Sequence, residues 1–151
     1  MKLTPEVKEY VDKSVLCWLA TSSATNEPNV SPKECFNYFG TDQIIIANIA
    51  SPQSVRNRLA NENVCVSFLE VFVQKGLQIK GKAQIIDQSH VDYQAMFQLL
   101  DRMTKGKFPF NTITAVTVEH VKPIIAPSYK LFPDTTEESI IEVSKRTYGV
   151  Q

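Results

Sequence analysis

The feature that most constrains the fold is the alternation of apolar and polar residues in GLQIKGKAQII, residues 76–86. Leu77 and Ile79 share one parity, whereas Gln78 and Lys80 share the other. Successive side chains of a strand point to opposite faces, so this pattern predicts an antiparallel strand with one face in a core and the other in solvent. Such a strand needs antiparallel neighbours that bury the same face.

Five other segments have the β-branched and aromatic content of strands, and turn residues separate them. They are residues 16–23, 29–36, 44–49, 64–73 and 112–121. Because most connections are short and closure removes exposed edges, six strands favour a closed antiparallel β-barrel over an open sheet. A doubly wound α/β fold does not fit, because βαβ repeats and a Gly-rich phosphate turn are both missing.

Four helices are predicted around these strands. They run from Thr4 to about Lys13, from Ser51 to about residue 63, from about His90 to Met103, and from Thr136 onward. In the second helix Val55 and Leu59 are predicted to share the apolar buried face, and in the third a stripe with helical spacing begins at Val91. The chain is therefore predicted to be a single domain, residues 1–151, mainly β with flanking helices.

The charges of the chain exclude several classes of partner. Sixteen basic residues balance sixteen acidic ones, so no overall field would draw the chain to nucleic acid or to an anionic membrane. The N-terminal segment MKLTPEVKEYVDKSV has no apolar core suited to a signal peptide, and no apolar run reaches transmembrane length. We expect a cytoplasmic protein without nucleic-acid or membrane partners, in which any anion is held by a local site.

The cysteines and histidines are scattered along the chain. Cys17, Cys35 and Cys65 are odd in number and lack C-x-x-C spacing, which argues against a disulfide framework and against a zinc site. His90 and His120 are similarly isolated. The sequence therefore predicts no metal site, and it predicts cysteines that are buried as small hydrophobic side chains.

One predicted strand carries a row of polar residues within the segment EPNVSPKECF, residues 27–36. Asn29, Ser31 and Lys33 point to one face of this strand and Val30 points to the other, because side chains alternate. The row is therefore expected to face a polar environment.

The start of the second helix offers such an environment. Ser51, Ser54 and Arg56 lie at or just inside its N-terminus, where free backbone N–H groups and the helix dipole favour an anion. Lys33 could add a point charge and Ser31 a hydroxyl group from a neighbouring strand. This set of groups suits a phosphate monoester, and the alternative is that these charges are merely solvated.

No hydrolytic or nucleic-acid motif competes with this interpretation. The sequence contains no G-x-S-x-G or H-E-x-x-H motif and no Cys/His pair in a catalytic context. Its basic residues do not cluster with aromatic residues as an RNA-binding sheet would require.

Three segments, taken in order, resemble a known family. They are CWLATSSATNEPNVSPKECF, IIIANIASPQSVRNRLANENVCVSF and GLQIKGKAQII. Together they resemble the pyridoxamine 5'-phosphate oxidase-like flavin-binding split barrels, in particular a small branch with an N-V-S-P-K strand, over about residues 14–125. The resemblance implies a six-stranded antiparallel split β-barrel, a homodimer, and FMN bound in a groove between the subunits.

The resemblance also implies a set of FMN contacts. These are Ser31, Lys33, Ala47, Asn48, Ser51, Ser54, Arg56, Gln74 and Lys75. Lys33 matches a strand cation that approaches the flavin, and the backbone of Ala47 and Asn48 matches a segment that touches the ring. The residues near Ser54 match the loop and helix start that hold the phosphate, although relatives often have a lysine at about this position.

A second region is implied to act across the dimer. Gln74 and Lys75 match a strand entrance that reaches the cofactor of the partner subunit. Tyr129, in the segment APSYKLF, is a candidate for an aromatic side chain that covers the ring, with core or dimer packing as the alternative.

The expected function is that of an FMN-dependent oxidoreductase with a small-molecule redox substrate. Vitamin B6 oxidation is not expected, because the true oxidases have a longer C-terminal segment with tryptophan and arginine, whereas the single tryptophan here is Trp18. Two alternatives remain open. One is a flavin-binding or sensing module without turnover, and the other is a split barrel that binds haem or a deazaflavin, in which His90 or His120 would have to ligate the haem iron.

Overall fold

The computed structural model describes all 151 residues and contains seven strands and five helices. The strands are β1 (Cys17–Ser22), β2 (Pro28–Lys33), β3 (Phe36–Phe39), β4 (Gln43–Ala47), β5 (Asn63–Glu70), β6 (Lys75–Ile86) and β7 (Ile113–Ile125). The helices are α1 (Pro5–Lys13), α2 (Pro52–Ala60), α3 (Tyr93–Thr104), α4 (Ser128–Leu131) and α5 (Glu137–Tyr148). The chain is mainly β with flanking helices, as expected. None of the helices has the length and apolar character needed to cross a bilayer.

The seven strands form one antiparallel sheet in the order β2-β1-β5-β6-β7-β4-β3. β2 and β3 are the two edges of this sheet, yet only Glu34 and Cys35 connect them. Three Cα steps of about 3.8 Å cannot span a flat sheet of this width. The sheet therefore curls until its two edges come close together.

The prediction of six strands was wrong, because β3 was taken as part of a turn. Residues 29–36 read as one strand, but β2 ends at Lys33 and Phe36 begins a separate strand that pairs with β4. β3 has only four residues, which is too short for its alternation to stand out from the Gly40 turn that follows. The chain uses the break to pass from one edge of the sheet to the other.

The alternation that predicted β6 is confirmed. Leu77 and Ile79 are buried, and Lys80 is exposed. A bulge between Lys80 and Gly81 shifts the register against β7. A Cβ atom at Gly81 would lie 2.1 Å from the carbonyl oxygen of Thr117, so only glycine allows the two backbones this approach.

Two apolar clusters hold the sheet. The larger one fills the inside of the curl, where Val7 and Val11 of α1 pack against residues such as Leu19 and Phe68. The smaller one lies between the sheet and α3, and includes Met96 and Leu100. β4 supplies both clusters, since Ile44 and Ile46 face the first and Ile45 and Ala47 face the second. Burial on both faces explains the continuous apolar run of this strand.

The predicted stripe of α3 is displaced by one to two residues. The helix begins at Tyr93, and its buried side chains are Tyr93, Met96, Leu100 and Thr104. Val91, expected to begin the stripe, precedes the helix and is 90% exposed. Apolar residues lie on more than one side of this helix, so its sequence alone did not identify the side that meets the sheet.

Candidate functional site

The polar row of β2 faces the inside of the fold and meets α2. Asn29 and Ser31 are half-buried and Lys33 is buried, whereas Val30 is exposed on the opposite face. The Asn29 side-chain amide donates to Ser54 Oγ at 3.3 Å, and Ser31 Oγ lies 3.2 Å from Ser54 Oγ. The sequence correctly predicted both the row and the helix that it faces.

The face that α2 turns to the sheet is polar. Its buried side chains are Ser54, Asn57 and Arg58, and the Asn57 amide donates to Thr21 Oγ1 at 3.0 Å. The predicted apolar face was wrong, because Leu59 is 72% exposed. The helix contacts the polar row of β2 rather than an apolar surface, so its own contact face is polar as well.

A second set of hydrogen bonds ties α2 to the end of β4. Arg58 Nη2 donates to Asn48 Oδ1 at 2.6 Å, and Asn48 directly follows β4. Thr114 Oγ1 donates to the same oxygen at 2.7 Å, and Asn48 Nδ2 donates to Thr112 Oγ1 at 3.0 Å. α2 therefore bridges β2 on one side and the end of β4 on the other. We call Lys33, Asn48, Ser51, Ser54 and Arg58 the polar mouth.

The polar mouth contains two buried cations and no carboxylate partner for either. Lys33 is 7% exposed and Arg58 is 3% exposed, and neither belongs to any of the four ion pairs of the chain. Burial lowers the pKa of Lys33, and the nearby charge of Arg58 lowers it further. Burial alone lowers the pKa of Arg58 to about 10. Both shifts reflect the cost of keeping positive charge out of water without an anion.

Several donors of the polar mouth have no partner. Arg58 Nε, Arg58 Nη1 and Ser51 Oγ are buried and make no hydrogen bond. Ser51 occupies the N-cap position of α2, but its side chain does not bond the helix, and Ala50 before it has a left-handed φ of 47°. Unpaired buried donors are rare and costly, and backbone conformations of this kind are often found at ligand sites. The arrangement has the chemistry of an anion-binding site.

A cavity of about 270 Å³ opens beside Lys33. Its walls come from the end of β2, the start of β3, the end of β4 and the end of α3. They include Lys33, Cys35, Ala47, Ile49, Met103 and Phe108. The backbone N–H of Ala47 donates to the carbonyl oxygen of Cys35 at 3.0 Å and so extends the β3–β4 pairing along one wall. The cavity is mostly apolar, and its polar lining includes the buried Lys33 and the exposed Glu34, so it suits a flat group that is mainly apolar.

Five predicted site residues are not part of the polar mouth. Ser31 borders it through Ser54 and Ala47 lines the adjoining cavity, whereas Arg56, Gln74 and Lys75 lie elsewhere. Arg56 is exposed and donates to Gln53 Oε1 at 2.7 Å. Gln74 Nε2 donates to Ser144 Oγ at 3.2 Å, and Lys75 Nζ lies 2.8 Å from Glu137 Oε1, so both bind α5.

Tyr129 belongs to this second region. Lys75 Nζ is 4.4 Å from the centroid of the Tyr129 ring, and the Tyr129 hydroxyl donates to the carbonyl oxygen of Val73 at 2.7 Å. Within one chain, Tyr129 therefore packs the C-terminal segment against the turn between β5 and β6.

Arg58 is the main residue of the polar mouth that sequence reasoning missed. It stands four residues after Ser54 and seven after Ser51, which places all three on one side of a helix. Because Val55 and Leu59 were assumed to form the buried face of the helix, Arg58 was not among the predicted site residues. The signal was present in the sequence, and the wrong assumption was that a buried helix face must be apolar.

The two histidines lie in separate places. His90 Nδ1 accepts a hydrogen bond from the backbone N–H of Asp92 at 3.1 Å, just before α3. His120 is exposed on β7, opposite Lys80. No group of three or more His, Cys, Asp or Glu side chains is arranged to hold a metal ion.

Solved structures with the same fold include an FMN-binding protein and a haem storage protein. HupZ from Group A Streptococcus has a TM-score of 0.70 at 20% identity, over 82% of this chain and 95% of that one. An FMN-binding protein from Syntrophomonas wolfei subsp. wolfei has a TM-score of 0.63 at 17% identity, over 78% and 88%. HutZ, a haem storage protein from Vibrio cholerae, has a TM-score of 0.61 at 18% identity, over 83% and 95%. Likeness at these identities shows the fold alone.

Sequence comparison gives the family. No curated protein matches the chain. The family model described as pyridoxamine 5'-phosphate oxidase matches residues 3–124, which include every strand except the last residue of β7, together with the whole polar mouth. The chain belongs to the pyridoxamine 5'-phosphate oxidase family.

Proposed function

We propose that the chain is an FMN-binding flavoprotein whose polar mouth holds the 5'-phosphate and whose neighbouring cavity takes part of the ring. The observation that carries the proposal is the convergence of buried donors and cations under α2 with no carboxylate among them. A phosphate dianion would satisfy these groups by charge-assisted hydrogen bonds. FMN carries one such phosphate, and the chain has no Gly-rich fingerprint for a dinucleotide.

The donors of the polar mouth fit a phosphate group. Ser51 Oγ has no partner, and Ser54 Oγ is a hydroxyl that can rotate to donate. Lys33 lines the neighbouring cavity, so its charge would be shared between phosphate and ring. FMN, once bound, supplies hydride or electron transfer. The chain orients the cofactor and excludes water from the apolar cavity.

We also propose that this flavoprotein is an oxidoreductase that acts on a small-molecule redox substrate. A flavin-binding or sensing module without turnover is the alternative, and its binding residues would be the same. Stopped-flow reduction of the flavin-loaded protein by NADPH, followed by reoxidation with candidate acceptors, separates the two. Catalytic turnover supports the enzyme, whereas tight binding with no reduction by any donor contradicts it.

We propose that the chain forms a homodimer through the outer face of β1, β2 and β5. Trp18, Val30 and Leu69 are exposed large apolar residues on these strands, and Val15 and Val71 extend the patch. A groove of about 620 Å³ runs along it. Lys13 and Glu70 also line this groove. A two-fold interface buries the same patch on both subunits, so the exposed apolar side chains of one copy can cover those of the other.

Light scattering tests the dimer, and Trp18→Glu is the variant that should disrupt it. We expect wild-type mass to be twice that of the chain, and we expect the variant to be monomeric. A monomeric wild type that binds FMN tightly would rule out a cofactor site shared between subunits.

Identification of the bound ligand tests the central proposal. The protein should be purified without added cofactor and its visible spectrum recorded. The bound ligand should then be released by heat and identified by mass spectrometry. We expect FMN as the main species. Haem is the second candidate, because HutZ shares the fold, although neither His90 nor His120 belongs to the polar mouth. Recovery of FAD, haem or a deazaflavin as the main species would overturn the proposal.

A further inference from the structure

We propose that Arg58 is the main phosphate ligand of the polar mouth and that it is retained at the expense of the stability of the ligand-free fold. This inference rests on the proposed function, because it assigns to one residue the preference for a phosphorylated flavin. Arg58 is 3% exposed, and two of its three guanidinium nitrogens have no partner. A buried guanidinium with so few acceptors is explained by a ligand and not by packing.

The direction of the Arg58 side chain supports this role. Side chains on a helix lean toward its N-terminus, so a long side chain at position 58 reaches back over the turn that contains Ser54 and toward Ser51. Ser51 Oγ, at the start of the same helix, is also buried without a partner. The hydrogen bond of Arg58 Nη2 to Asn48, three residues before Ser51, places the guanidinium near the start of α2. An anion between them would be bound by a guanidinium, a hydroxyl group and the N-terminal end of the helix together.

Asn48 fixes the guanidinium but does not depend on it. Arg58 Nη2 donates to Asn48 Oδ1, and that oxygen also accepts the Thr114 hydroxyl at 2.7 Å. Asn48 Nδ2 is held separately by Thr112. Removing the guanidinium would thus leave Asn48 oriented and still hydrogen-bonded. It would also remove a charge that opposes the charge of Lys33.

These contacts predict opposite effects of one substitution on stability and on binding. Arg58→Met keeps much of the length of the side chain but removes its charge and its unpaired donors. The melting temperature of the ligand-free protein should rise, because a buried charge without an anion is replaced by an apolar group. FMN affinity should fall at least about tenfold, the scale of a charge-assisted hydrogen bond. Riboflavin, which lacks the phosphate, should bind the variant and the wild type within about twofold of each other.

The control is Arg146→Met, which removes an exposed arginine that pairs with Glu142 on α5. It makes the same change in charge and should leave FMN affinity unchanged. Arg58→Lys is the second variant. It keeps the charge but loses the planar set of donors, so FMN should bind with intermediate affinity while riboflavin stays unchanged.

The experiment measures FMN and riboflavin affinity by fluorescence quenching and the melting temperature of each ligand-free protein. Unchanged FMN affinity in Arg58→Met, an equal loss for FMN and riboflavin, or a lower melting temperature would overturn the inference. If Arg58→Met does not fold, Arg58→Lys decides, and FMN affinity equal to that of the wild type overturns it.

Inorganic phosphate separates this inference from the proposed function. If the wild type binds neither flavin, the proposed function fails. Stabilisation of the wild type by millimolar phosphate, absent in Arg58→Met, then supports Arg58 as an anion ligand. Equal stabilisation of both proteins, or of neither, would overturn it.

Discussion

Two helices cover the curled sheet, and they do so with opposite chemistry. α3 lies against β3, β4 and β7 and buries Met96 and Leu100. α2 lies against β1, β2 and β6 and buries Ser54, Asn57 and Arg58. Both helices are short, with 9 and 12 residues, and they cover different parts of one sheet. The buried face of α3 stabilises the fold and its last turn lines the cavity, whereas the buried face of α2 supplies polar groups of the proposed site.

The energetics of the two contact faces follow from this difference. Burial of a Leu or Met side chain under α3 stabilises the fold by about 1.5 to 3 kcal/mol for each residue. The hydrogen bonds under α2 contribute only about 0.5 to 1.5 kcal/mol each, and the desolvation of Lys33 and Arg58 opposes them. In the ligand-free protein α2 should therefore be the less protected helix in hydrogen exchange.

The largest effect is expected from the apolar helix. Leu100 is fully buried in the cluster under α3, so Leu100→Ala should lower the free energy of unfolding by about 2 to 5 kcal/mol in urea titrations. FMN affinity, measured well below the melting temperature, should stay within about twofold of wild type. A large loss of FMN affinity in a folded Leu100→Ala protein would show that the two helices do not have separate roles.

Lys33 provides the converse case within the polar mouth. Lys33→Met should weaken FMN binding by about 1.5 to 3 kcal/mol, because a charge-assisted contact to the anion is lost. The free energy of unfolding of the ligand-free protein should not decrease, because Lys33 is buried without an ion-pair partner. Isothermal titration calorimetry gives the first quantity and urea unfolding the second. A variant that binds FMN normally but unfolds more easily would indicate that Lys33 serves the fold.

The pH dependence of stability gives a smaller effect with a definite sign. Burial and the charge of Arg58 lower the pKa of Lys33 in the folded chain. Between this folded-state pKa and the ordinary pKa of 10.5, the unfolded chain therefore binds more protons than the folded chain. The charge of Lys33 lowers the free energy of unfolding by its full amount below the folded-state pKa, and this loss becomes smaller as the pH rises toward 10.5. Cys17 opposes this, because burial raises the pKa of its thiol from 9.0 to about 12.

Both proteins keep Cys17, so the difference between wild type and Lys33→Met contains Lys33 and its coupling to Cys17. The coupling has the same sign, because Lys33 lowers the pKa of Cys17 and so lessens the loss of stability of the wild type at high pH. The free energy of unfolding of the wild type, relative to the variant, should rise as the pH approaches 10.5 from below, as followed by urea unfolding. A flat or falling difference would mean that Lys33 is not desolvated in the folded chain.

The sequence predicted the elements better than their contacts. The alternation of β6 and the polar row from Asn29 to Lys33 identified which faces point inward, because strand geometry ties face to parity. The row and the start of α2 were also correctly paired as neighbours. The seventh strand was missed because four residues carry too little pattern.

The helix faces were harder to predict for a physical reason. A helix has no fixed inner side until its neighbour is known, and apolar residues such as Leu59 were assumed to be that side. α2 meets a polar surface, so this assumption excluded Arg58 from the candidate residues. The contacts of Gln74 and Lys75 with α5 depended on how the C-terminal segment folds back, which no local pattern records.

Arg56 gives the smallest expected effect and the sharpest contrast with Arg58 on the same helix. The sequence predicted Arg56 as a phosphate ligand, but its side chain is exposed and bonds Gln53 one turn earlier. An exposed hydrogen bond of this kind contributes little to stability, and water screens the charge. Within one chain, Arg56→Ala should therefore change FMN affinity less than about threefold. Calorimetry at low and at physiological salt measures this. A tenfold loss at both salt concentrations, with riboflavin unaffected, would mean that Arg56 contacts the phosphate directly, either after α2 rotates or in the site of the partner subunit.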